Sequence, residues 1–228
     1  MKAFVCLFKV CCIFLFVTFI SCLNEEEVYY SCDSFTDAWV KDNLPMIRKM
    51  NRQIWLTYPD SLSIPIYRAF TPEQKQQVWL EKLKEVIDRG GWSQQEYAHL
   101  VLMDSTLRAS VCWFSDEGIE NNLLVYEEYK IFMYKWLRYC LDELKWNRNL
   151  ILNIAFTGKS LPTTKSSGFI DEIAPTPDNK SDCDCKETNV LFTTCSGILS
   201  CSSGPCEETS HGCGAFLVEG CDGLCGPR

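Results

Sequence analysis

The stretch TPEQKQQVWLEKLKEVIDRGG, Thr71 to Gly91, decides the fold class. Thr71 can cap a helix, Pro72 suits the first helical position, and Gln74 can complete a capping box. Trp79, Leu83, Val86 and Ile87 then fall on one face at three- and four-residue steps. Gly90-Gly91 stops the helix, because glycine ends helices without a Cβ penalty.

The same grammar continues downstream. Ser93, with Glu96 three residues on, opens a second helix whose apolar stripe is Tyr97, Leu100, Val101, Leu107 and Val111. That helix should end near Phe114–Ser115. A long helix is expected from Ile119 to Trp146, with Ile119, Leu123, Tyr126, Met133, Leu137, Cys140 and Leu144 at helical spacing. Leu150 to Phe156 is a short apolar run that suits either helix or strand. Upstream, Phe35 to Tyr58 reads as helical, divided or reopened at Pro45 and closed by Pro59. Ser61 to Phe70 contains Pro65 and reads as a connector. Residues 31–157 therefore predict an all-α body of four to five helices. No internal repeat or sustained heptad is present. The body is rich in Trp and Tyr. These rings could box a ligand, but their helical spacing assigns them to the core.

Composition changes at Lys159. From there to Asp182 the chain is punctuated by Pro162, Pro175 and Pro177 among Ser, Thr, Lys and Asp, so residues 158–182 read as a linker. The last segment, 183–228, is CDCKETNVLFTTCSGILSCSSGPCEETSHGCGAFLVEGCDGLCGPR. It carries eight of the 15 cysteines of the chain: Cys183, Cys185, Cys195, Cys201, Cys206, Cys213, Cys221 and Cys225. Its apolar inventory is too small to hold a fold unaided. Four disulfides at roughly 2–4 kcal/mol each would suffice. The expectation is a small, disulfide-rich, loop-dominated module, whose pairing is one of about a hundred possibilities. Cys183 and Cys185 should take different partners, since one intervening residue makes a strained ring. Cys183-Asp184-Cys185 and His211-Gly212-Cys213 could offer metal ligands, but no paired CxxC sets occur and an oxidising compartment would compete for the thiolates. No metal or other cofactor is expected, and His211 reads as an exposed loop residue. Cys32, Cys112 and Cys140 leave an odd thiol if two of them pair, which should be buried in the helical core.

The N-terminus sets the compartment. Lys2 and Lys9 flank an apolar opening, and Val10 to Ile20 is uncharged. This is the length of a signal-peptide hydrophobic region, so residues 1–21 read as a signal peptide; a retained membrane anchor is the alternative. Phe19-Ile20-Ser21-Cys22 resembles a bacterial lipobox, which makes Cys22 the candidate lipidation site and the membrane a partner through that anchor. Ordinary signal-peptidase cleavage would leave Cys22 plain. Residues 22–30 form an acidic tether, in which Glu25-Glu26-Glu27 resembles the signal that sends some lipoproteins to the outer face. Several acyl chains at about 0.8 kcal/mol per buried methylene would fix the protein firmly. The expected location is the outer membrane, exposed at the surface, or the medium after processing.

Charge and motifs exclude other classes. The net charge of −8 argues against nucleic acid, which demands Lys and Arg against phosphate. It also argues against a basic lipid-binding patch. The only histidines are His99 and His211, and no nucleophile elbow, zinc-protease, P-loop or dinucleotide motif occurs. Glu127-Glu128 and Asp142-Glu143 are adjacent on a helix, about 100° apart, and read as solvated. An enzyme is not expected.

The order of Cys183-x-Cys185, Cys195, Cys201, Cys206, Gly212-Cys213-Gly214, an apolar stretch and Cys221 resembles the small secreted bacteriocin fulvocin C. Ile66-Tyr67-Arg68-Ala69-Phe70-Thr71-Pro72-Glu73-Gln74-Lys75 looks like a segment common to the bacteriocin fulvocin C-related family. The layout of leader, helical body and cysteine module is similar to that family as well. What the resemblance implies is an exported bacterial protein acting against competing bacteria, with an envelope component as target. The module departs in being acidic: Asp182, Asp184, Glu187, Glu207, Glu208, Glu219 and Asp222 stand against Lys186 and Arg228. Pore formation through attraction to anionic lipid does not suit that charge. The other expectation is a non-enzymatic surface lipoprotein whose module serves binding or adhesion.

Overall fold

The computed structural model describes residues 28–162, 185–186, 199–203 and 209–227. The expected signal peptide (1–21), Cys22 and the acidic part of the expected tether lie outside them, as do Cys183, Cys195 and Cys206. Among the described residues there are eight α-helices, not four to five, and a mostly helical body is followed by short antiparallel strands.

Helix α1, Ser34–Ile47, starts where Asp33 accepts from the Thr36 amide at 2.9 Å. Pro45 lies inside α1 rather than dividing it, and the break falls instead at Asn51, which caps the single turn α2, Arg52–Trp55. The expected connector is helical: α3 runs Asp60–Arg68 with Pro65 inside it. The bond that Pro65 cannot donate is outweighed by burial, since Pro65, Ile66, Tyr67 and Arg68 all face the interior.

Helix α4, Pro72–Asp88, forms as its sequence dictates. Both capping-box bonds between Thr71 and Gln74 are present at 3.1 Å, and Trp79, Leu83 and Val86 are wholly buried. In α5, Gln94–Ala109, the Ser93–Glu96 box is also formed. Its inward stripe is rotated from the expected one. Leu100 and Leu107 are buried with His99 and Met103, while Tyr97, Val101 and Val111 are exposed. A 3₁₀ turn, Val111–Phe114, follows.

The expected long helix is two helices, α6 (Asp116–Ile119) and α7 (Leu123–Asp142). Asn122 separates them by accepting from the amides of Leu124 and Val125, which restarts the helix. Leu123 is consequently exposed, and Tyr129, Met133, Trp136, Leu137 and Cys140 form the buried stripe. The run at Leu150–Phe156 resolves as helix α8, Arg148–Ala155. No described helix is long and apolar enough to cross a membrane.

Four short strands follow among the described residues: β1 (Leu199–Ser203), β2 (Thr209–Cys213), β3 (Glu219–Cys221) and β4 (Gly223–Pro227). β1 pairs antiparallel with β4, and β2 with β3 through an irregular register. Disulfides join Cys185 to Cys201 and Cys213 to Cys221, and Cys225 is disulfide-bonded too. Cys32, Cys112 and Cys140 are not in disulfides; Cys140 is buried, and burial pushes its thiol far above the ordinary range.

Composition separates a helical domain from a module, but packing joins them. Ala215, Phe216, Leu217 and Val218 belong to the same hydrophobic core as Tyr67, Trp79 and Tyr129. These four apolar residues of the module segment therefore fill the interior of the helices.

Candidate functional site at the junction of module and helices

The junction is built on the tip of the β2–β3 hairpin. The Cys213–Cys221 bridge ties its base, with Cα atoms 5.3 Å apart. Gly212 and Gly214, either side of Cys213, take φ of 113° and 69°. A side chain at Gly212 would run into Ile64 and Arg68, and one at Gly214 into Glu219. At the tip, Phe216 and Leu217 are non-glycine residues with φ of 56° and 53°. Such conformations cost about 1–3 kcal/mol each and persist only where the surroundings over-determine them.

The surroundings do so here. Phe216 is wholly buried and meets the Trp79 ring edge-on, with centroids 4.9 Å apart. The Tyr67 hydroxyl accepts from Trp79 Nε1 at 3.0 Å and donates to the Phe216 carbonyl at 3.1 Å. The Tyr129 hydroxyl donates to the neighbouring Ala215 carbonyl at 2.9 Å. Helices α3, α4 and α7 thus supply a socket, and the hairpin tip is its plug. Burial holds both phenols neutral by raising them well above the ordinary tyrosine range.

A ring of buried polar groups surrounds the plug. Arg68 Nε donates to the His211 carbonyl at 2.9 Å and Arg68 Nη1 to the Tyr30 carbonyl at 3.0 Å. His211 is fully buried, not an exposed loop residue, because β2 lies across α3. Its Nδ1 is 2.8 Å from the Val218 carbonyl, which can only accept, so Nδ1 carries a proton. Its Nε2 is 3.0 Å from Asp116 Oδ1. Burial lowers the pKa of His211 against the pull of Asp116. Lys75 is also buried, and desolvation brings it down to about 8 while Asp116 favours its charge.

A second polar cluster fixes where the chain leaves the body. Arg52 Nε donates to the Gly158 carbonyl at 2.9 Å, Lys82 Nζ donates to the Lys159 carbonyl, and Lys159 Nζ reaches Asp60 Oδ1 at 2.9 Å. Glu85 accepts from Ser160 Oγ and the Leu161 amide at 3.0 and 3.2 Å and pairs with Arg52 at 2.8 Å. Any side chain at Gly158 would strike the Trp55 ring. Residues 158–161, expected as the start of a linker, are therefore strapped to the body.

Neither cluster assembles reaction chemistry among the described residues. Both nitrogens of His211 already face oxygens. Glu127, Glu128, Asp142 and Glu143 are exposed, two of them in ion pairs with Lys130 and Arg138. No group of three or more His, Cys, Asp or Glu that could hold a metal is found among the described residues. What the arrangement does chemically is lock one element to another.

Compared with protein-family models, curated proteins and solved structures, the chain matches none. Tyr67, Arg68 and Lys75 belong to the stretch 66–75, and Gly212-Cys213-Gly214 to the cysteine pattern. Residues of both stretches meet at this junction. Tyr129 and Asp116 could not be found from sequence, since nothing local distinguishes them from other helix residues.

Proposed function

We propose that this is an exported, lipid-anchored envelope protein without enzymatic activity, whose disulfide module works as a fixed part of the helical body in binding a surface component. The observation that carries the reading is the plug at Ala215–Val218. A module released alone would expose Phe216, Leu217 and Val218 to water and lose the bonds from Tyr67 and Tyr129 that hold its strained tip. The disulfides support export, since such bonds persist in oxidising compartments. The leader and lipobox-like Cys22 supply the route and anchor.

If the protein acts against competing bacteria, as the family resemblance implies, it does so on this reading as the whole chain. The test is the intact mass of protein recovered from the host envelope, with thiols alkylated before and after reduction. Expected is one species that begins at an acylated Cys22, contains residue 228 and keeps its module cysteines protected until reduction. Recovery of an oxidised fragment of residues 183–228 from the medium, active against other bacteria, would replace this reading with a released bacteriocin.

A further inference from the structure

A groove lies between α5 and α7, lined by none of the junction residues. It has a volume of about 470 Å³, within the range of small-molecule sites. Its floor is His99 and Trp136, whose rings stack at 4.9 Å and 9°, and Tyr139 closes one side at 4.7 Å from His99. Leu102 and Phe132 add apolar wall, and Lys135 is the one charged lysine or arginine in the lining. Leu102 and Tyr139 are substantially exposed, so an apolar surface faces water.

The polar groups of this groove are specific. His99 Nε2 is 3.2 Å from the Trp136 carbonyl and must donate to it, because a carbonyl only accepts. Trp136 Nε1 returns a bond to the His99 carbonyl at 3.3 Å, which fixes both rings. Burial lowers the pKa of His99, so the ring is neutral and Nδ1 is left as a lone-pair acceptor. Nδ1 has no hydrogen-bond partner among the described residues and is not closed off from water, so a ligand in the groove can reach it. An acceptor so placed, beside aromatic walls and a single cation, sets out the complement of one kind of ligand.

We propose that this groove binds a small planar aromatic acid bearing one N–H or O–H donor. Its ring packs against Tyr139 and Leu102, its donor bonds His99 Nδ1, and its carboxylate pairs with Lys135. This proposal does not depend on the function proposed above.

The test uses the full folded chain and three probes: indole-3-carboxylate, its N-methyl derivative and indole, titrated by calorimetry and saturation-transfer NMR. Expected is saturable one-to-one binding of indole-3-carboxylate below about 1 mM. The N-methyl compound should bind about tenfold more weakly, since it cannot donate to His99 Nδ1 and loses that hydrogen bond. His99→Phe, which keeps a ring in the stack, should abolish that difference, and Lys135→Gln should weaken the acid but not indole. Leu102→Arg should block all three; Lys135 and Leu102 are exposed, so those variants keep the fold. No saturation by wild-type protein up to about 10 mM would overturn the proposal. So would equal binding of the methylated and unmethylated acids, or a concentration-dependent dimer that Leu102→Arg dissolves, since the groove would then be a contact between copies.

Discussion

The hydroxyl of Tyr67 donates to the carbonyl of Phe216 at 3.1 Å, joining positions 149 residues apart. The same hydroxyl accepts from Trp79 at 3.0 Å, so one phenol satisfies a helix indole and a strained hairpin carbonyl together. The cysteine module is held by this arrangement, and most consequences follow from it.

Phe216→Ala should be the most damaging single change in the module. It empties a wholly buried socket against Trp79, and large-to-small core changes of this type cost about 3–5 kcal/mol. Tyr67→Phe keeps the ring but strands the Phe216 carbonyl, at about 1–3 kcal/mol. Thermal unfolding should rank wild type above Tyr67→Phe above Phe216→Ala. Equal melting temperatures for Phe216→Ala and wild type would mean that the tip does not occupy the core.

Lys75 should reveal itself in the pH dependence of stability. Its folded pKa is depressed to about 8 by burial, below an unfolded value of 10.5. Below pH 8 both states are protonated and the full cost of burying the charge is present. Between pH 8 and 10.5 the unfolded chain holds more protons, so this contribution to stability rises with pH. Cys140, Tyr67 and Tyr129 oppose it as they ionise in the unfolded chain, so the clean signal is the difference between wild type and Lys75→Met. The variant should be at least as stable at pH 7, since an apolar chain replaces a buried charge, and its advantage should shrink from pH 8 to 10. A constant deficit across that range would contradict the assignment.

Glu85→Ala should loosen the strap at residues 158–161. Glu85 accepts from Ser160, Leu161 and Arg52, and the same region is held by Arg52 and Lys82. Tryptic cleavage after Lys159 should become several-fold faster while the melting temperature falls by only a few degrees, a loss of about 1–2 kcal/mol. Unchanged cleavage would show that Glu85 does not govern this exit.

Much of the helical body was legible in the sequence, because local signals agree with the final packing. Thr71-Pro72-Glu73-Gln74 and Ser93 with Glu96 make the capping boxes that their spacing dictates. Pro65 misled because burial of Tyr67 and Arg68 outweighs one missing amide donor. The break at Asn122 was hidden since its cap is a single side chain inside an otherwise helical pattern. Tyr97 and Val101 fit an apolar stripe by type but face water, because the neighbouring helices cover the His99–Met103 side instead. The junction was the least legible part. Ala215 to Val218 is apolar in any reading, and only the fold shows that these residues belong to the core of the helices. His211 was hidden for the same reason.

The most direct test of the central claim is gel filtration after the chain is cut at a protease site introduced between residues 163 and 182. The body cysteines Cys32, Cys112 and Cys140 are outside disulfides, and the Cys185–Cys201 and Cys213–Cys221 bridges lie within the module. The account predicts that the two pieces co-elute in native buffer and separate in denaturant without reductant. Separation of body and module in native buffer would contradict it.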